Sequence, residues 1–269
     1  MNKFKLGLTG LVVAAALPFA LQAQAAGDQM PPDYFSGFYG GLGVGVSDMT
    51  ANLKSSGEVD IGDPVIDALS ANHSADLGDA MVMGNIFVGY GMTFQSKYYL
   101  GAEIFGRYSP LRAETKNETD VYGDFSQVDM NAKLSNDFVF GGLIRGGYLI
   151  SPKTLLYVLV GVNGAPFKHE WNASGVDDAT DIAWQDKGSK TSTKAAIMPG
   201  VGIEEMITSK LSLRAQYTYS FYFGDITHSK AESGTLPGPY PYTVGDKQTI
   251  KNLANGSFDV DLSYHFNGL

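Results

Sequence analysis

Four charged residues sit where strand-like alternation would turn them to one face of a sheet: Glu103, Arg145, Glu204 and Arg214. Two carboxylates and two guanidiniums held away from water would form an ion-pair network, because a planar guanidinium can grip a carboxylate bidentately and neither charge tolerates burial unpaired. A short turn sets the spacing. If Ile207 pairs with Leu211 across Thr208 to Lys210, Glu204 lies opposite Arg214. Glu103 and Arg145 each fall five residues from the turn-side end of adjacent strands, so they are expected to face each other at similar height. Other candidates are weaker. Asp259, Asp261 and His265 share a face but spread along one strand, too far for a single metal shell, and read as solvated polarity. His73 with Ser74 and His228 with Ser229 lack a third partner, so no catalytic residue is expected. Asp177, Asp178 and Asp181 could offer oxygen to calcium but lack the glycine-punctuated pattern of an EF-hand. With no cysteine and four scattered histidines, neither a metal site nor a cofactor is expected.

The composition narrows the class of protein that must position these residues. A net charge of −9 argues against nucleic acid, which is bound by clustered Lys and Arg. Fifteen Phe, fifteen Tyr and 44% hydrophobic residues exclude a disordered chain. The start of the chain pairs Lys3 and Lys5 with an apolar stretch from Leu11 to Leu21 and small residues at Ala23 and Ala25. That is the pattern of a secretory leader, so residues 1–25 are expected to be a signal peptide and 26–269 a single domain. Elsewhere no apolar run reaches the 18 or so residues that would span a bilayer as a helix.

Period-two alternation is present instead. In FDVDLSYHF, Phe258, Val260, Leu262, Tyr264 and Phe266 alternate with Asp259, Asp261, Ser263 and His265. Six further segments orient in the same way: 36–47 (Phe38, Leu42, Val44, Val46 outward), 81–94, 98–108, 137–150, 195–207 and 211–223. A seventh, 155–163, is apolar on both faces and cannot be oriented from sequence. Short turns near 95–97, 151–154 and 208–210 alternate with long polar segments at 48–80, 109–136, 164–194 and 224–252. Aromatics gather at both strand ends, and glycines (Gly41, Gly43, Gly45, Gly101, Gly141, Gly200, Gly202) occupy the opposite face. The expected fold is therefore all-β, an eight-stranded antiparallel up-and-down transmembrane β-barrel with four long external loops.

The hairpin VGIEEMITSKLSLRAQY, with GAEI, IRGGYLIS and the terminal alternation ending Tyr264, His265, Phe266, resembles the small outer-membrane β-barrels that include the transmembrane domain of outer-membrane protein A. The resemblance implies a bacterial outer-membrane location with termini in the periplasm and long loops outside. It implies a lumen charge cluster that blocks or gates, carried here by Glu103, Arg145, Glu204 and Arg214. It also implies an outward C-terminal face (Phe258, Val260, Leu262, Tyr264, Phe266) read by the barrel-assembly machinery. The chain stops after the barrel, so the peptidoglycan-binding domain of the longer relatives is expected to be absent.

The expected role is a barrel that displays its loops to surfaces or host ligands and supports envelope integrity, its lumen plugged by the Glu/Arg network, and that is not an enzyme. The alternative is a narrow gated channel for ions or small solutes. Expected partners are outer-membrane lipid and lipopolysaccharide, the assembly machinery, and an extracellular or host ligand at the four loops. The loop 48–80 is the most acidic, with seven carboxylates against Lys54. Asp63 and Pro64, with Ile66 and Leu69, suggest a short helix there, and Pro237, Pro239 and Pro241 should stiffen the last loop.

Overall fold

The structure, a computed structural model, describes residues 33–60, 69–120, 126–177, 182–235 and 241–266. The leader, the Asp63–Pro64 helix, Asp178, Asp181, Pro237, Pro239 and the three residues after Phe266 lie outside the described residues. Among the described residues nine strands form: β1 (Gly37–Asp60), β2 (Leu69–Phe94), β3 (Tyr98–Asp120), β4 (Ser126–Ser151), β5 (Thr154–Asp177), β6 (Ile182–Met206), β7 (Leu211–Tyr222), β8 (Ile226–Thr235) and β9 (Pro241–His265). All pairings are antiparallel, and β1 closes the ring by pairing with both β2 and β9.

Eight positions make up the ring, because β7 and β8 share one side of β9. Residues 211–221 of β7 pair with 264–254, and β8 continues the ladder along 250–241 after a break at Gly224, whose φ of 77° suits glycine. At the turn end the strands follow the expected alternation. Phe38, Leu42, Ile86, Ile104, Ile144 and Val201 point outward, each at least half exposed, and Tyr90, Tyr98, Tyr148 and Phe266 rim them. The fifth segment is now oriented: Leu156, Val158, Val160 and Val162 face out, Leu155, Tyr157 and Leu159 inward. The inner face is crowded. A Cβ at Gly43 would overlap the Asp261 carboxylate, and one at Gly202 would overlap the Tyr157 hydroxyl.

The segments 48–80, 109–136, 164–194 and 224–252, expected as loops, are for the most part paired β-structure. They do not continue the ring. Beyond Gly84 and Tyr108, β2 and β3 no longer pair, and beyond Ala195 and Phe223, β6 has no ladder partner on that side among the described residues. Pro110, which cannot donate to a ladder, stands at the first seam. The wall thus splits into two four-stranded sheets, β2-β1-β9-β8 and β3-β4-β5-β6. Met49, Leu53, Leu77 and Ile250 from one sheet, and Leu111, Leu134, Ala165 and Phe167 from the other, are buried in the same hydrophobic cluster. Burial of this apolar surface holds the extension together where backbone hydrogen bonds between the sheets are missing.

Candidate functional site

Inside the ring, the four predicted residues come together, each at most 4% exposed. Glu204 and Arg214 are register partners on β6 and β7, and Arg145 stands opposite Gly101, one inward position from Glu103. The ion pairs nevertheless cross the lumen. Arg145 Nη1 binds Glu204 Oε2 at 3.0 Å, and Arg214 Nη1 binds Glu103 Oε2 at 2.7 Å. Arg145 Nε lies farther from Glu103, at 3.8 Å. The expected adjacent pairing is thus corrected: side chains this long, in a bore this narrow, reach past their strand neighbours.

Aromatic rings floor the site. The Arg145 guanidinium lies 4.7 Å from the Tyr39 ring centre and 5.0 Å from that of Tyr157, and the Tyr99 hydroxyl accepts a hydrogen bond from its Nη2 at 3.0 Å. Arg214 packs 3.7 Å over Phe87. Such faces stabilise a desolvated cation beside its carboxylate partners.

Sequence reasoning missed the contribution of the last strand. Asp259, Asp261 and His265, read as solvated, are buried to 1% exposure or less. Arg214 Nε donates to Asp261 Oδ2 at 2.8 Å, and His265 Nε2 lies 3.0 Å from Glu204 Oε1, which also accepts from the Ser212 hydroxyl at 2.6 Å. One tier further from the turns, Arg107 Nη2 meets Asp259 Oδ1 at 3.5 Å, and Asn85 Nδ2 donates to Asp261 at 2.8 Å. The signal was available: each of these residues alternates with an outward apolar one on its strand. Burying charge at this density is costly unless each is paired, which is the arrangement found.

A closed ring of strands with an apolar, aromatic-rimmed belt outside and paired charges inside is the inverse of a soluble protein, and a family comparison agrees with it. A model of the outer membrane protein β-barrel domain matches residues 11–266. The chain belongs to that family. Bacterial outer-membrane location follows, and the exposed belt is the surface that meets lipid. No curated protein sequence matches the chain. Among solved structures, it is similar to the attachment invasion locus protein Ail of Yersinia pestis, with 12% identity over 82% of this chain and 99% of that one and a TM-score of 0.32. The outer membrane protease OmpT of Escherichia coli shares 9% identity, covering 86% and 97%, with a TM-score of 0.40. For the outer membrane protein OprG of Pseudomonas aeruginosa the values are 13% identity, 86% and 96%, and 0.38.

On this outer-membrane barrel the C-terminal residues Val260, Leu262, Tyr264 and Phe266 all face outward on or just after β9, with Phe258 half-buried at the same face. The remaining predicted candidates divide. The side chain of His73 lies outside the described residues, whereas His228, expected to lack a third partner, sits 2.8 Å from Asp186 Oδ2.

Proposed function

We propose that this barrel is a sealed scaffold whose two-sheet extension stands outside the cell as a binding surface and whose ring contributes to envelope integrity. The observation that carries the reading is the burial of Arg145 and Arg214, at 1% and 0% exposure, against Glu204, Glu103 and Asp261 across the bore. To conduct, these pairs would have to separate in a low-dielectric interior, at about 3 to 5 kcal/mol for each uncompensated charge. Bacterial barrels carry short turns on the periplasmic side and long elements outside, which supports termini in the periplasm and the extension at the surface. Binding rather than turnover is its task. The acidic outer strands, with Asp48, Asp76 and Asp79, favour a cationic ligand or divalent cations bridged to lipopolysaccharide. The outward face from Phe258 to Phe266 serves as the assembly signal.

Single-channel recording tests the seal. Refolded protein, with insertion verified by strand content and heat-shifted gel mobility, is expected to be silent in a planar bilayer. Discrete openings of the wild type that change in Arg214→Ala would overturn the reading in favour of a narrow gated channel.

A further inference from the structure

Beyond the ring, strand pairing assembles three ligand groups that lie far apart in sequence. Asp186 comes from β6, His228 from β8 and Asp246 from β9, and one donor atom from each lies within 4.8 Å of the others. Asp246 is 4% exposed, yet neither oxygen of its carboxylate finds a hydrogen-bond donor. A buried carboxylate without a donor is unfavourable unless a proton or a cation joins it.

The neighbours of these groups are arranged as metal ligands commonly are. Trp171 Nε1 donates to Asp186 Oδ2 at 3.0 Å, and the Trp171 ring stacks on His228 with centroids 3.8 Å apart and planes at 24°. Both contacts fix ligand orientation, as outer-shell partners do at metal centres. Lys230 Nζ approaches Asp186 Oδ1 only to 3.7 Å and is half-exposed, so it can withdraw to solvent. We propose that Asp186, His228 and Asp246 form a binding site for a divalent first-row transition metal, zinc by preference, that clasps the two sheets of the extension together.

Ligand chemistry selects the ion. One imidazole nitrogen with two carboxylates suits Zn2+, whereas calcium and magnesium take oxygen shells. Three protein ligands leave a fourth tetrahedral position for water, and a small contraction of the side chains brings the donors to bonding distance. Position supplies the purpose. β6 belongs to one sheet, β8 and β9 to the other, and no backbone pairing joins β6 to β8 across the second seam. A metal bound here replaces the missing ladder with three coordinate bonds. The site is independent of whether the lumen conducts.

The chain has two tryptophans, so Trp184→Phe leaves Trp171 as the sole reporter beside the site. Refolded full-length protein in detergent is titrated with Co2+, which quenches a nearby indole, and with Zn2+ in competition against a chromogenic chelator. The expected result is one Zn2+ per chain, Co2+ quenching that Zn2+ reverses, and affinity weakened about tenfold or more in Asp246→Asn and in Trp171→Phe on the otherwise native chain. Asp246→Asn keeps the side-chain shape, and unchanged heat-shifted mobility shows that its barrel has formed. Zinc should also slow amide exchange across residues 226–235. Binding no tighter in the wild type than in a chain carrying Asp186→Asn, His228→Ala and Asp246→Asn would overturn the site. Zinc bound without slower exchange in β8 would overturn the clasp.

Discussion

Arg145 on β4 reaches past the whole of β5 to bind Glu204 on β6 at 3.0 Å, while the register partner of Glu204, Arg214, turns instead to Glu103 and Asp261. The bore is narrow enough for an arginine to touch strands it never pairs with, and the five charges Glu103, Arg145, Glu204, Arg214 and Asp261 tie β3, β4, β6, β7 and β9 together. A cross-lumen tie of this kind resists separation of strands more than a pair between neighbours already joined by a ladder.

Arg214→Ala should cost about 3 to 5 kcal/mol, because two buried carboxylates lose their cation. Removing the orphaned charges as well, in Arg214→Ala with Glu103→Gln and Asp261→Asn, should recover much of that loss. Adding Glu204→Gln to Arg214→Ala should recover none, since Glu204 keeps Arg145. Urea midpoints of the four proteins in lipid check the order; recovery by Glu204→Gln would mean that Arg214 pairs with its β6 neighbour Glu204 after all.

The glycines test the packing of the same bore. Gly43→Ala and Gly202→Ala each drive a methyl into an occupied place, the Asp261 carboxylate or the Tyr157 hydroxyl, and should destabilise by about 1 to 3 kcal/mol. Gly146→Ala, where a Cβ meets open space on the outer face, should leave the midpoint unchanged or slightly raised. Thermal unfolding followed by gel mobility separates the two classes.

The outer wall answers to lipid. Leu42 is 64% exposed and pairs with Ile86 and Leu262, both outward, near the middle of the belt. Leu42→Arg should cost about 2 to 4 kcal/mol in bilayers, as charges on the lipid face of such barrels do. Ser189→Arg, exposed on β6 of the extension opposite Glu170, should cost little. Equal losses in both variants, measured by denaturation from vesicles, would contradict a lipid-facing belt.

These contrasts follow the line between what was legible in sequence and what was not. Along 36–47 or 211–223, each outward position is a large apolar side chain and each inward one polar or glycine, so the face can be read without the structure. In the extension the inner face carries Ala51, Ala113, Ala132 and Ala165 between a few large residues, and the outer face is polar, so alternation fades into the composition of a loop. Two strands also change phase. Across the β-bulge beside Asn252, whose φ is 52°, the inward residues of β9 pass from Gln248 and Ile250 to Asn255 and Ser257, and β4 shifts similarly between Leu134 and Val139. The Asp186, His228 and Asp246 cluster was out of reach for another reason: it depends on a hairpin register and on a seam between sheets, neither of which any local pattern encodes.

His169 gives the extension a predictable response to acid. It is fully buried on β5, with Trp171 beside it at 5.3 Å between ring centres, and burial lowers its pKa from 6.5 to about 4, with the nearby His228 acting in the same direction and Gln248 opposing. The unfolded chain takes up a proton near pH 6.5, whereas the folded chain does so only near pH 4. Between those values the unfolded state binds more protons, so stability falls as the pH falls and is fully present above about 6.5. In metal-free buffer, the denaturation midpoint of the extension, followed by Trp171 fluorescence in the Trp184→Phe background, should decline from pH 7 to pH 4. His169→Gln keeps a polar group of similar size but does not titrate, and should flatten that decline while leaving the gel mobility of the barrel unaltered. A slope that survives His169→Gln would move the acid sensitivity to another group.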